Sequence, residues 1–348
     1  VISFAKHRYS PIGVDIGAHS VKLVQMNGER TAVLQVARWD LPAGVADAQH
    51  PTDALATAIS QAYESRRFRG REIVVCLGSR ELFVQNVRVP KSDNDIGRFV
   101  DQEAANKVPY PIEETDIRYL EAADIKHGET TRREVILFAC HRPALKQFLQ
   151  PVLAAGLQPI AVDVEPLALL RCYAHQNRRD QDQQARMMYV HVGSTNTAVV
   201  IAQGAATVFV KYLDLGGGQM DEAVARSLGM EREAAAMLRC HNGDRRRDQQ
   251  DPEVAEGVAM AVRPVLDRLA NELSLCIRYH SVTFRGQPLK RIVFSGGEAS
   301  DELVESLADR LHIPCEIGQP FRSHRAEVDA RRQTQWDVAT GLALREVC

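Results

Sequence analysis

The sequence predicts an α/β protein made of two related lobes. Three observations carry that prediction. The chain has 348 residues, more than one compact core accommodates. Two segments share one layout of strand, glycine turn and strand: "IGVDIGAHSVKLVQM" at 12–26 and "MYVHVGSTNTAVVIA" at 188–202. They open the two halves of the chain, about 175 residues apart, as expected of an internal duplication. Finally, strand-like alternation is interleaved throughout with helical periodicity.

The elements follow in order. "IGVDI", "SVKLVQM" and "TAVLQVARWDL" alternate as an opening antiparallel meander. A helix is expected at 53–66 and a buried strand, "EIVVCLG", at 72–78. Residues 79–158 then change character. They read as strand "ELFVQNVRVP", an amphipathic helix "DNDIGRFVDQEAANKV" stopped by Pro109 and Pro111, strands "DIRYLEAADI" and "REVILFAC", and a helix at 143–155 ending at Gly156. That unit is large enough to be an inserted α+β subdomain. "LQPIAVDVEPLALLRCYA" is a strand running into a helix, followed by a polar loop, "QNRRDQDQQAR". A second meander at 187–213 precedes Gly216, Gly217 and Gly218, helices at 219–228 and 231–240, and a charged loop, "HNGDRRRDQQDP". A long helix near 253–281, strand "RIVFSGG", helix "SDELVESLADRLHI", a polar loop at 322–335 and a closing helix, "WDVATGLALREV", complete the chain.

Composition narrows the function classes. Lys+Arg at 43 against Asp+Glu at 45 gives a net charge of −2, with no overall footprint for nucleic acid or anionic lipid. No apolar run approaches the roughly 20 residues that span a bilayer, and "VISFAKHRYSPIG" lacks a signal-peptide core. Seven cysteines lie far apart without CxxC spacing, as reduced core residues of a cytoplasmic protein do. His141, His280 and His312 are isolated, without metal-ligand spacing.

Four features carry candidate chemistry. The paired glycine hairpins allow close backbone approach, and consecutive turn N–H groups form an anion nest suited to a polyphosphate. Asp15, at the tip of the first strand, is placed to hold water around a magnesium ion, and Lys22 to sit beside phosphates. Alone, a D-x-G hairpin also reads as a plain β-turn. "VFSGGEASDELV" at 293–304 is a third glycine turn, from strand into helix, where Gly296 and Gly297 admit a nucleoside against the backbone. It reads equally as an ordinary turn capped by Ser300. Glu165, before Pro166, either orients an attacking water or complements a helix dipole.

Taken together, these motifs and their order resemble the actin-like ATPase superfamily, and within it the PilM family of type IV pilus assembly proteins, relatives of FtsA. "VRVP" at 87–90, "QEAANKVPYPIEE" at 102–114, "AAGLQPIAVDVEPLAL" at 154–169 and the final "GLALR" are particularly similar to that family. The resemblance covers nearly the whole chain. It implies duplicated ribonuclease H-like lobes: 10–78 plus 157–186 as subdomain 1A, 79–156 as inserted 1C, 187–218 plus 290–346 as 2A and 219–289 as 2B. It further implies ATP, with Mg2+, held by Asp15, Gly17, Ala18, His19, Ser20 and Lys22 of the first phosphate motif. Gly193, Ser194, Thr195, Asn196 and Thr197 belong to the second, with Gly217, Arg239, Gly296, Gly297 and Glu298 around the nucleoside. Two positions depart from the family pattern. His191 stands where aspartate is usual, and Ala236 where an acid is, with Arg239 in place of a lysine. Histidine brings no negative charge to offset a metal, so weak or absent hydrolysis is expected.

The implied function is a cytoplasmic platform recruited to the inner membrane by a PilN-like protein. That partner's tail would dock beside 1C, where Phe83, Val87, Phe99 and Val100 are candidate groove residues or, on the other reading, simply the core of the subdomain. An active ATPase or small-molecule kinase of the same superfamily, and a nucleotide-free scaffold, are the alternatives. A kinase needs a general-base aspartate, which no segment between the phosphate motifs supplies convincingly.

Overall fold

Ile12–Ile16 (β1), Ser20–Met26 (β2) and Ala32–Asp40 (β3) form the expected meander, with β1 and β2 paired so that Asp15 lies opposite Lys22. The structure is a computed structural model that describes residues 8–42, 52–91, 95–127, 130–177, 179–244, 251–284, 287–326 and 332–346. Helix Thr52–Glu64 (α1) crosses over to Glu72–Leu77 (β4), which runs parallel to β1.

The inserted segment begins after β4. Leu82–Pro90 (β5), Thr115–His127 (β6) and Thr130–His141 (β7) form a separate antiparallel sheet in the order β5-β7-β6, with helix Ile96–Lys107 (α2) packed against it. Proline ends α2 as expected, because the residue before Pro109, Val108, is forced extended (ψ 128°). Helix Arg142–Ala154 (α3) leads back to Gln158–Val164 (β8), which adds in parallel to β4, and then to helix Glu165–Ala174 (α4). The expected polar loop contains a short helix, Asp180–Gln184 (α5).

The second half repeats the plan. Arg186–Val192 (β9), Thr197–Gln203 (β10) and Ala206–Leu213 (β11) are the second meander. Helices Gly217–Leu228 (α6), Arg232–Asp244 (α7) and Pro252–Thr283 (α8) follow. The charged stretch at 241–252 is therefore helical at both ends, and its centre, 245–250, lies outside the described residues. Asp251 begins α8 by accepting the Glu253 and Val254 N–H groups. Leu289–Ser295 (β12), helix Asp301–Leu311 (α9) and Cys315–Ile317 (β13) complete the second sheet. A two-residue strand, Arg325–Ala326 (β14), borders the first, and helix Asp337–Ala343 (α10) closes the fold.

Duplication is visible in the sheets. The second runs β11-β10-β9-β12-β13, and the first, apart from edge strand β14, runs β3-β2-β1-β4-β8. Each is a three-strand meander extended by two parallel strands. The central strands of the first sheet are covered on both faces. Ile59 of α1 and Val152 of α3 pack on Val14, Leu23 and Val75, while α4 and α10 cover Val24, Met26 and Val74 on the other side. That two-sided burial explains their nearly continuous apolar runs.

The two closing helices cross at a contact only glycine permits. A Cβ on Gly341 of α10 would lie 1.8 Å from the Ala168 carbonyl oxygen of α4. Arg171 of α4 secures the crossing by donating to the Gly341 carbonyl at 2.8 Å and pairing with Asp163 at 2.9 Å.

The small sheet is fastened to the second half of the molecule. Asn86 donates to the Val210 carbonyl on the edge of β11 at 2.7 Å. Fully buried Glu134 accepts from Arg88 and from the Tyr279 hydroxyl of α8, and Arg88 also reaches Thr283. Of the two readings of Val87 and Val100, groove lining or subdomain core, the structure gives the core, because α2 lays its apolar stripe on β5 and β7. Phe83 and Phe99 are half-buried at the margin of that core.

Candidate functional site: the cleft between the two hairpins

Both glycine hairpins are closed by one kind of bond. Gly17 N–H donates to the Ser20 carbonyl, and Gly193 N–H to the Asn196 carbonyl, each at 3.0 Å. Their tips face one cleft of about 700 Å3, a size that suits a small-molecule ligand. Asp15, Gly17, Ala18, His19, Ser20 and Lys22 line it from one lobe; Gly193, Ser194, Thr195 and Asn196 line it from the other. Glu165, His191, Arg239, Gly297 and Glu298 complete the lining from the sequence-derived set. Asn196 donates to the Ser79 hydroxyl at 2.6 Å and so bridges the lobes across the opening. A larger groove of about 1530 Å3 runs between α8 and α9, but neither hairpin contributes to it.

Three expected residues sit behind this surface. Thr197 is fully buried and donates its hydroxyl to the Leu215 carbonyl at 2.7 Å, which ties the second hairpin to the α6 approach. Gly217 gives its N–H to the Gly193 carbonyl at 3.0 Å, and a Cβ there would lie 2.4 Å from Glu298 Oε1. Gly296, at φ +96°, turns the chain after β12 where a Cβ would meet the Val192 carbonyl oxygen at 2.3 Å. These residues shape the wall and do not touch the cavity.

The charged groups are organised as internal cation–carboxylate sets. Lys22 Nζ donates to Asp15 Oδ2 at 2.9 Å across the first hairpin. Arg239 of α7 donates Nε to Asp221 and Nη1 to Glu298, both at 2.7 Å. Burial pushes the Asp221 carboxyl up, and Arg239 opposes it.

His191, at the end of β9, lies between two acids. Its Nδ1 is 2.6 Å from Asp337 Oδ2, and its Nε2 is 3.7 Å from Glu165 Oε1. Burial alone would lower the imidazole pKa. Asp337, through charge and hydrogen bond, with Glu165 and Asp15 behind it, outweighs burial and pushes the value up to about 9. The imidazolium is thus favoured near neutral pH, with Nδ1–H donating to Asp337 and Nε2 near Glu165 but beyond hydrogen-bond distance. Asp337 would be raised by burial, but His191 brings it below its ordinary value. Burial raises Glu165, against the pull of His191.

Asp337 and Glu165 occupy matching places, each the first residue of a connecting helix, α10 and α4. Glu165 was a sequence candidate and Asp337 was not, although "WDVATGL" repeats the acid-then-helix arrangement of "VEPLALL". Ser79 and Asp221 were likewise without a sequence signal.

Magnesium beside a polyphosphate keeps several waters and takes one or two carboxylates. Asp15, Glu81 and Glu165 are carboxylates on the cleft lining; Asp15 pairs with Lys22, and Glu165 lies 3.7 Å from His191. Among the described residues, no cluster of three or more His, Cys, Asp or Glu could hold a metal ion.

Comparison with known proteins assigns the architecture. The chain is similar to the solved "PilM-PilN type IV pilus biogenesis complex" at 24% identity, covering 97% of this chain and 98% of that one, with a TM-score of 0.80. Ethanolamine utilization protein EutJ from Carboxydothermus hydrogenoformans matches at 12% identity over 97% and 89% of the two chains, TM-score 0.57. A Bacteroides thetaiotaomicron protein with an actin-like ATPase fold and unknown function matches at 9% identity over 99% and 100%, TM-score 0.50. The fold is that of the actin-like ATPases. The family model for the type IV pilus assembly protein PilM matches residues 13–347, nearly the entire sequence, and the chain belongs to that family.

Proposed function

We propose that this protein is a cytoplasmic, nucleotide-binding assembly platform for type IV pilus or related secretion machinery, which docks the cytoplasmic tail of a PilN-like inner-membrane protein. The carrying observation is the single cleft lined by both glycine hairpins, with Arg239, Gly297 and Glu298 also on its lining. ATP is the nucleotide implied by the family resemblance. Turnover is weak or absent, because the second hairpin presents an imidazolium where a carboxylate would be needed. Recruitment through a partner agrees with the chain's helices: among the described residues, none is long and apolar enough to cross a membrane.

The partner reading draws on the match to a PilM-PilN complex. Here the tail lies beside the small sheet, where Phe83 and Phe99 are partly exposed, and Val87 and Val100 support them from within. Nucleotide favours one lobe arrangement through differential affinity for the two states.

Thermal denaturation with and without ATP tests the nucleotide reading. Ligand at 100 times its dissociation constant stabilises by about 2.7 kcal/mol. No shift at millimolar ATP returns the nucleotide-free scaffold. Calorimetric titration with the tail peptide of a co-encoded PilN-like protein tests the partner.

A further inference from the structure

The whole-chain balance of −2 conceals one uneven end of the molecule. Between α1 and β4 the chain reads "SRRFRGR", residues 65–71, with four arginines in the six positions from Arg66 to Arg71. All four are exposed. The turn leads into β4, so it lies at the end of the first sheet opposite the cleft, which Asp15, Ile16 and Gly78 line from the far ends of β1 and β4.

The backbone beneath these arginines is pinned. Fully buried Gln25 accepts the Arg69 N–H at 2.8 Å and donates to the Arg69 carbonyl at 2.6 Å. The Tyr63 hydroxyl donates to the Gly70 carbonyl, and Tyr9 lies against Gly70, which brings exposed Arg8 to the same end. Side-chain commitments are slight: Arg66 and Arg71 each donate to one backbone carbonyl, those of Ser65 and Gly156. Among the described residues, no acid forms an ion pair with any of the four. The acids at this end are Glu29, Glu64, Glu72 and Glu346. Residues 142–162, which supply α3 and most of β8 beside the turn, contain none.

We propose that this end of the first lobe is a contact surface for an anionic lipid bilayer. Guanidinium groups match phosphate geometry, and each arginine near an anionic surface strengthens partition by about fivefold. Three features favour a bilayer over other polyanions. Neither cavity described above includes the turn, so no groove there follows a peptide or a nucleic-acid strand. Its rings, Phe68 and Tyr63, are half-buried and stack on each other at 5.8 Å, which leaves neither free for a base. Leu153, 57% exposed on the last turn of α3, accepts the N–H of Gly156, whose own carbonyl Arg71 holds. An apolar side chain beside arginines suits the boundary between headgroups and acyl chains. Screening limits the attraction to about 10 Å at 0.1 M salt, so the contact acts on a chain already held at the membrane. That setting rests on the recruitment reading above; the contact itself does not.

Flotation of the full chain with lipid vesicles tests this without the partner. Vesicles of phosphatidylglycerol and phosphatidylcholine in equal parts should carry the protein at low salt, and phosphatidylcholine alone should not. Arg66→Gln, Arg67→Gln and Arg69→Gln together keep the backbone bonds of the turn and should lower partition by about tenfold or more. Arg263→Gln, Arg268→Gln and Arg278→Gln, exposed on α8 of the other lobe, should leave it unchanged. No preference for phosphatidylglycerol, or equal partition of the turn variant and the wild type, overturns the proposal. An equal loss in the α8 variant overturns it too, because binding would then follow total charge. Capture of polyglutamate or duplex DNA in place of the vesicles makes the turn a protein or nucleic-acid site and likewise overturns it. Should the turn variant fail to fold, the wild-type choice between the two vesicles still decides. None of these outcomes bears on the PilN-like tail, which the peptide titration decides separately.

Discussion

His191 and Asp337 are 146 residues apart in the chain and 2.6 Å apart in the fold. One ends the central strand of the second sheet, and the other opens the closing helix beneath the first. Their contact ties the floor of the cleft to a helix that packs on the first sheet.

That pair makes stability depend on pH. The folded pKa of His191, about 9, lies above the ordinary histidine value of about 6.5. Its contribution is fully present below pH 6.5 and lost as pH rises through 9, on the order of a few kcal/mol in total. Besides Asp337, the charged groups facing the ring are Glu165 from α4 and Asp15 from β1. Urea midpoints measured from pH 6 to 10 should fall across this window, and Asp337→Asn should largely abolish the fall. A wild-type midpoint that rises with pH over that range contradicts the assignment.

Removing one partner of the pair should also be costly in itself. Asp337→Ala leaves a buried imidazole without its acid, and a loss of about 3–5 kcal/mol is expected from equilibrium denaturation at pH 7. A cost below about 1 kcal/mol would place the pair among weak surface contacts.

The helix crossing allows no side chain on Gly341. Gly341→Ala puts a carbon within 1.8 Å of a backbone oxygen before relaxation, so α4 and α10 must separate. Destabilisation of about 3 kcal/mol or more is expected, since backbone cannot yield as a side-chain tip can. Soluble expression and urea midpoint report it. Gly297→Ala is the control, because nothing lies within 4 Å of a Cβ there.

The small subdomain should be released by loss of its buried acid. Glu134→Ala strands Arg88 and removes the acceptor of the Tyr279 hydroxyl, which Glu134 and burial together hold up at about 12. Hydrogen exchange should quicken in β5 and in the end of α8 around 279–283, with a stability loss of about 3 kcal/mol. Unchanged exchange there would mean that the Asn86–Val210 contact suffices.

Across the cleft opening, Ser79 and Asn196 should be coupled. Each alanine substitution removes one partner of a 2.6 Å hydrogen bond, and a double-mutant cycle should return about 1 kcal/mol of interaction energy. Zero coupling would show that the lobes do not depend on this bridge.

The sequence by itself determined the duplicated strand–turn–strand units, the inserted subdomain and most element types. Those follow from local physics: alternation, glycine turns, and prolines that stop helices. Even the Asp15–Lys22 pairing was legible in principle, since hairpin register places the two opposite one another. Strands as short as β13 and β14 were not, because two or three residues carry no period. Tertiary structure alone decided between core and groove for Val87 and Val100, put Gly217 and Gly296 behind the wall, and brought His191 to Asp337. Side-chain charge depends on what the folded chain brings within a few ångströms, and partners more than a hundred residues away leave no mark on neighbouring sequence.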